Sequence, residues 1–271
     1  MNVDDHRVEG LGLSFAAGVL RVLLDRPSRR NALTDTVVEG LIGVFDSVAT
    51  DEAVRVVVMS GAGDHFCGGF DIVARNADLD APQPRVGSIQ RRLPSQAHRL
   101  IPLMLSVQVP VVCAVRGWAA GLGLQLVLAS DFAVTAEDAS LWEPFTQRGF
   151  TPDSGATWLL SRRVGEVRAR QMLLLGRTVT GAEAAEWGMV HRAVATAELD
   201  GVVDELVAEL ASGPTVALGL TKWLLHTARS ADLSAALADE ALALEVSSRS
   251  KDFKEGLAAF REKRPPRFTG R

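Results

Sequence analysis

Tyrosine is absent from this chain of 271 residues, and cysteine occurs only twice. No phenolic acid is therefore available for catalysis. Cys67 and Cys113 are too few for a disulfide framework and lack the paired spacing of a zinc site, which points to a reducing compartment. The histidines His6, His65, His98, His191 and His226 include no pair at helical i, i+4 spacing, so a metal cluster has no local support. No apolar run approaches the roughly 20 residues that span a bilayer, and Met1 to Gly10 is polar and acidic rather than a signal peptide. With 29 Lys and Arg against 33 Asp and Glu, no basic block interleaves with aromatics, which argues against nucleic acid as a partner. The expectation is a cytoplasmic protein with neither a nucleic-acid nor a membrane partner.

What is present is strongly patterned. Residues Leu11 to Asp25 predict a hairpin turning at Ala17-Gly18. Thr34 caps a helix in which Val37, Val38, Leu41, Ile42, Phe45 and Val48 keep a 3.6-residue period. The β-branched runs Val54 to Met59 and Val109 to Val115 read as buried strands, the second leading through a glycine-rich turn into an apolar helix, Leu122 to Leu128, and a strand, Phe132 to Val134. Such a succession is the grammar of parallel α/β architecture. Four prolines in 74–108 suggest a helix bordered by a loop. Beyond Gly149 amphipathic spacing predicts helices over 155–163, 166–175, 181–187, 199–211, 214–228, 233–248 and 250–261.

Two glycine-rich loops follow predicted strands, at Ser60 to Asp71 and at Arg116 to Gln125. Neither fits a dinucleotide-binding loop, and no P-loop or G-x-S-x-G elbow is present. The glycines either permit tight turns or leave two backbone N–H groups converging as an oxyanion hole. Asp153, just before a predicted helix, is either its N-cap or a carboxylate walled by Phe145, Phe150 and Trp158. Glu143 reads as a helix-entry or surface charge sooner than as a group approaching the pocket, Cys67 as a small buried filler, and Trp118 and Trp142 as core.

Asp25-Arg26-Pro27 with Asn31-Ala32-Leu33, the run Phe66-Cys67-Gly68-Gly69-Phe70-Asp71-Ile72, the run Gly117-Trp118-Ala119-Ala120-Gly121-Leu122-Gly123, and Gly188-Met189-Val190 together resemble the crotonase superfamily, the enoyl-CoA hydratase/isomerase family. The resemblance covers nearly the whole chain. It implies an α/β fold of stacked strand-strand-helix turns over 1–195 and a helical, trimer-forming region over 196–271. It also implies an acyl-CoA thioester as substrate, coenzyme A entering with it and no separate cofactor or metal, and a homotrimer or dimer of trimers.

By motif position, the amides of Phe70 and Leu122 would hold the thioester carbonyl. Ser28, Arg30, Gly68 and Asp71 would lie along the CoA nucleotide, although Arg30 reads equally as a solvated loop charge. Cys67, Gly69, Ile72, Gly121, Gly123, Gln125 and Phe145 would complete the substrate pocket. The two glutamates of hydratase members fall at Gln125 and Phe145, so both hydratase carboxylates are missing here. Gln125 can orient water but cannot exchange a proton near neutral pH, and Phe145 can do neither. Asp153 remains, in a context most similar to members acting on 1,2-epoxyphenylacetyl-CoA. The implied activity is isomerisation of an unsaturated or ring-epoxide acyl-CoA by one aspartate. The alternatives are a 2-enoyl-CoA hydratase with a relaxed site, or an acyl-CoA-binding relative without turnover.

Overall fold

Ala17 and Gly18 both take positive φ (50° and 80°), and this tight turn closes the expected hairpin of β1 (Leu11–Ala16) and β2 (Val19–Leu24). The computed structural model describes residues 2–72 and 85–271. From β2 the sheet continues in parallel through β3 (Val56–Gly61), β4 (Val111–Val115), β6 (Phe132–Ala136) and β9 (Arg192–Val194), in the order β1-β2-β3-β4-β6-β9. A second, three-stranded sheet joins β5 (Trp118–Ala120), β7 (Ser140–Trp142) and β8 (Val179–Thr180).

The strands read as unbroken apolar runs because both faces of the large sheet are covered. Successive residues of β3 alternate between the two sides. Val57 and Met59 join the main core with α1 (Asp35–Val48) and α3 (Ala97–Ser106). Val56 and Val58 pack instead against Leu199, Val203, Val207 and Leu210 of α7 (Leu199–Ser212). Each such buried side chain contributes roughly 1.5–3 kcal/mol. Residues from 199 onward therefore begin by covering the sheet. α1 starts where the pattern places it, with Thr34 Oγ1 accepting from Val37 N at 3.2 Å.

α2 (Ser88–Arg92) and α3 supply the helix expected within 74–108, while residues 73–84 lie outside the described ones. α4 (Leu122–Ala129) is the apolar helix after the second glycine loop. The two helices expected over 155–163 and 166–175 meet at Gly165 (φ 73°, ψ 167°), a break within α5 (Ala156–Leu173). α6 (Gly181–Glu186), α8 (Thr215–Thr227), α9 (Leu233–Ser247) and α10 (Lys251–Glu262) complete the chain. α8 is tied to the core by Lys222, whose buried ammonium donates to Met104 O (2.9 Å), Val109 O (3.1 Å) and Asp131 (2.7 Å). No helix among the described residues is long and apolar enough to cross a membrane.

Candidate active site

The glycine-rich loops that leave β3 and β4 are sewn to one another by main-chain hydrogen bonds. Phe66 N donates to Arg116 O (2.8 Å), Cys67 N to Trp118 O (2.8 Å) and Ala120 N to Cys67 O (2.9 Å). A third segment joins them, through Gly68 N to Arg30 O (2.7 Å), Leu33 N to Gly69 O (2.8 Å) and Asp71 N to Leu33 O (2.8 Å). Buried Asn31 fixes that segment, donating to Ala62 O (3.0 Å) and His65 O (2.6 Å) and accepting from Arg26 N (2.9 Å). Gly61, Gly69, Gly117 and Gly123 leave no room for a side chain. A Cβ on Gly69, which has φ +93°, would lie 2.7 Å from Ala120 O, and one on Gly123 would lie 2.6 Å from Cys67 O.

This stitching orients two peptide groups. Gly69 O and Asp71 N both bond to Leu33, so the alternation of an extended chain turns the Phe70 N–H to the opposite side. Leu122 is the first residue of α4, and its N–H has no acceptor within the helix. Phe70 and Leu122 line one cavity of about 490 Å³. Its walls are mostly apolar, from Val38, Ile72, Ile89, Leu93 and Phe150, with Phe145 edge-on to Phe150 (5.6 Å between centroids, 86° between planes). Arg92, Gln96 and Arg148 add polar groups, and Asp153 is the one acidic side chain among the described residues of the lining.

Asp153 sits in the turn entering α5. That turn runs through left-handed Ser154 (φ 51°) and Gly155 (φ 85°), and the helix is capped by Gly155 with no side-chain hydrogen bond. The N-cap alternative for Asp153 therefore fails, and Asp153 lines the cavity. A non-glycine residue held at positive φ costs of order 1–3 kcal/mol. One compensation comes from α3, where His98 Nε2 accepts from Ser154 N at 3.2 Å. Burial lifts the Asp153 carboxyl above the ordinary aspartate range, while a hydrogen bond from Ser154 pulls it back.

Of the expected site residues, Phe70, Leu122, Gly68, Gly69, Ile72, Gly121, Phe145 and Asp153 line the one cavity. Other expected residues do not. Cys67 is wholly buried, its thiol pushed up to about 12 by desolvation, and it holds the loops together through its main chain. Gly123 packs against Cys67. Asp71 turns away to pair with Arg26 at 3.1 Å. Ser28 and Arg30 stay exposed, with the Arg30 guanidinium 5.9 Å from the centre of the Trp118 ring.

Gln125 and Glu143 need the clearest correction. Gln125 does not reach the cavity; its Nε2 donates to Glu143 Oε1 at 2.8 Å in the interior. Glu143 is no surface charge, because it lies 0 % exposed one residue past β7 and points inward while Pro144 beside it lines the cavity. Burial, reinforced by the charge of Asp153 and opposed by the bond from Gln125, raises its carboxyl well above the glutamate range. Sequence reasoning also passed over His98, Arg92 and Gln96, which come from the helices preceding β4 and carry no local signal of their partners.

A family model described as enoyl-CoA hydratase/isomerase matches residues 14–271. The 1,2-epoxyphenylacetyl-CoA isomerase of Escherichia coli (strain K12) is 37% identical over 255 residues, covering 94% of this chain and 96% of that protein. The carnitinyl-CoA dehydratase of Proteus mirabilis (strain HI4320) is 30% identical over 273 residues, covering 97% and 99%. Among solved structures, an enoyl-CoA hydratase from Bacillus anthracis matches with a TM-score of 0.89 at 30% identity, covering 97% of this chain and 100% of that one.

Proposed function

Since the chain belongs to the enoyl-CoA hydratase/isomerase family, we propose that it isomerises an unsaturated or ring-epoxide acyl-CoA through an enolate, with Asp153 as its acid/base. The observation that carries this reading is that Phe70 and Leu122, whose amides would be the donors, line one cavity with a single acidic residue among the described ones, Asp153. The thioester oxygen takes hydrogen bonds from both amides, and each such donor contributes roughly 2.7–4 kcal/mol to an oxyanion. Asp153 removes a proton from the α-carbon, and the electron pair moves into the thioester carbonyl. The same group returns the proton at the γ-carbon, so the double bond shifts and no atom is gained or lost. Burial favours this, since it keeps the carboxyl basic enough to take the proton and acidic enough to return it. The edge-on Phe145 and Phe150 rings offer an apolar wall to a flat or cyclic acyl group.

Hydration is the second reading, favoured by the hydratase names among the relatives. It would need a second proton-exchanging group on the cavity. The discriminating experiment is turnover of 3-enoyl-CoA, 2-enoyl-CoA and aryl-epoxide CoA thioesters by wild type and Asp153→Asn. Isomerisation lost with Asp153 supports the proposal; hydration of 2-enoyl-CoA that survives Asp153→Asn refutes it. Thioester binding without turnover of any substrate supports a non-catalytic relative.

We also propose that the chain forms a trimer or a dimer of trimers. Leu233, Leu237 and Leu244 of α9 and Phe260 of α10 stand exposed, apolar surface that a partner copy would cover. A stable monomer in sedimentation equilibrium is the result that excludes it.

A further inference from the structure

Gln125 and Glu143 are both 0 % exposed. Gln125 Nε2 donates to Glu143 Oε1 at 2.8 Å, and the two remaining oxygens of the pair, Gln125 Oε1 and Glu143 Oε2, have no hydrogen-bond partner. A carboxylate has only acceptors, so with Glu143 ionised both oxygens stay orphaned in the interior, an arrangement native proteins rarely keep. A carboxylic acid carries one O–H, and a single proton on Oε2 satisfies both atoms at once. We propose that Glu143 is a neutral acid closing a two-bond ring with Gln125, its Oε2–H donating to Gln125 Oε1, and that this ring positions the two walls that meet at the cavity.

The placement of the pair gives the ring that role. Gln125 lies in the first turn of α4, where its N–H bonds to Gly121 O at 3.0 Å, three residues after the amide of Leu122. Glu143 directly precedes Pro144 and Phe145, which line the cavity. The ring therefore fastens the start of α4 to the aromatic wall by side chains, alongside the main-chain bond from Gly121 N to Trp142 O at 3.0 Å. Neutrality also matters to Asp153. The other charged groups on the described lining are Arg92 and Arg148, with His98 bonded to Ser154 from α3. An ionised Glu143 would add a second negative charge beside Asp153 with no cation bonded to it. Burial and the Asp153 charge both favour the protonated form.

Glu143 is thus a positioning residue; it does not touch the cavity. The inference about the ring stands without any reaction, whereas its effect on turnover rests on Asp153 as acid/base. Infrared difference spectra of wild type minus Glu143→Gln at neutral pH are expected to show one carbonyl band of a protonated carboxylic acid that shifts in D2O. Absence of that band overturns the neutral ring whatever Asp153 does. In the pH profile of isomerisation, Glu143→Gln is expected to keep the midpoint of the acid limb, since neither side chain is charged; a midpoint displaced to lower pH means a charge was removed and overturns the proposal.

Glu143→Leu leaves the Gln125 amide unpaired, and the expected result is a fall in kcat of about tenfold at little change in KM, less than the 10²–10³ lost with an oxyanion donor. The amide of Glu143→Gln can rebuild the same ring, so it is expected to recover most of that loss. A Glu143→Leu enzyme with the kcat of wild type removes the positioning role, and if that variant does not fold, the infrared and pH comparisons with Glu143→Gln decide.

Discussion

Phe70 and Leu122 line the cavity from loops held by main-chain bonds, whereas Asp153 lines it from a turn held by a side chain, His98. On the amide side three segments around residues 30–33, 66–71 and 117–123 are sewn into one unit, and almost any residue could supply the same N–H groups. Only at positions such as Gly69 and Gly123 does side-chain identity matter there, because a Cβ would strike a carbonyl. On the carboxylate side the parts come singly, with Asp153 from the turn before α5, His98 from α3 and Glu143 from beyond β7. Under the proposed reaction the first side holds the thioester enolate, and the second decides which proton moves.

Substitutions that strike one side and spare the other test this division. The largest effect is expected from Asp153→Asn, a loss of about 10³ in kcat, within the 10²–10⁴ typical of a general acid/base, with calorimetric affinity for a CoA thioester preserved. Next comes Gly69→Ala. With φ at +93° and the new Cβ 2.7 Å from Ala120 O, it is expected to cut kcat by about 10² while CoA binding and Asp153 titration persist. Chemical denaturation should place the same variant roughly 1–3 kcal/mol below wild type.

His98→Ala comes third, with a loss of about tenfold read by steady-state kinetics, smaller than a general acid/base loss because His98 acts through the turn. His98 Nε2 accepts from Ser154 N, so its loss is expected to loosen the turn and lower kcat while affinity for a CoA thioester persists. Affinity lost along with kcat would mean that the two sides are not separately tunable. Smallest is Glu143→Gln, seen in stability. A carboxyl raised in the folded state stays protonated above the ordinary glutamate range while the unfolded chain has released its proton. Wild-type stability therefore falls as pH rises through that window, by at most about 1.4 kcal/mol per unit for one proton. Denaturation midpoints of Glu143→Gln against pH are expected to lack that slope.

The contrast also explains what could be read from the sequence. The crotonase fold and the stitched glycine loops were legible because their determinants are local. The β-branched strands, the glycine runs and the Thr34 cap each announce themselves within a few residues. Gly165 even marked the junction between two helices that the spacing had kept apart. β5, β7 and β8 escaped because two or three residues give no periodicity. The carboxylate side was half legible. Asp153 stood out by elimination, but a contact between residues 98 and 154, or between 125 and 143, is fixed only when distant segments pack. Glu143 was misread for that reason: an isolated charged residue next to a proline carries no sign of burial.

The bridge between Cys67 and Ala119 and that between Leu33 and Phe70 have one further consequence, for the order of assembly. The first cannot form until β3 and β4 lie side by side in register, and the second until β2 and β3 do, pairings of segments far apart in sequence that are intrinsically slow to find. A chain with its helices formed and its sheet incomplete would already possess the Asp153 turn and yet lack the stitched loops on which the proposed reaction depends. Recovery of activity during refolding is thus expected to trail the recovery of helical circular dichroism, making turnover a clock for the last step of folding.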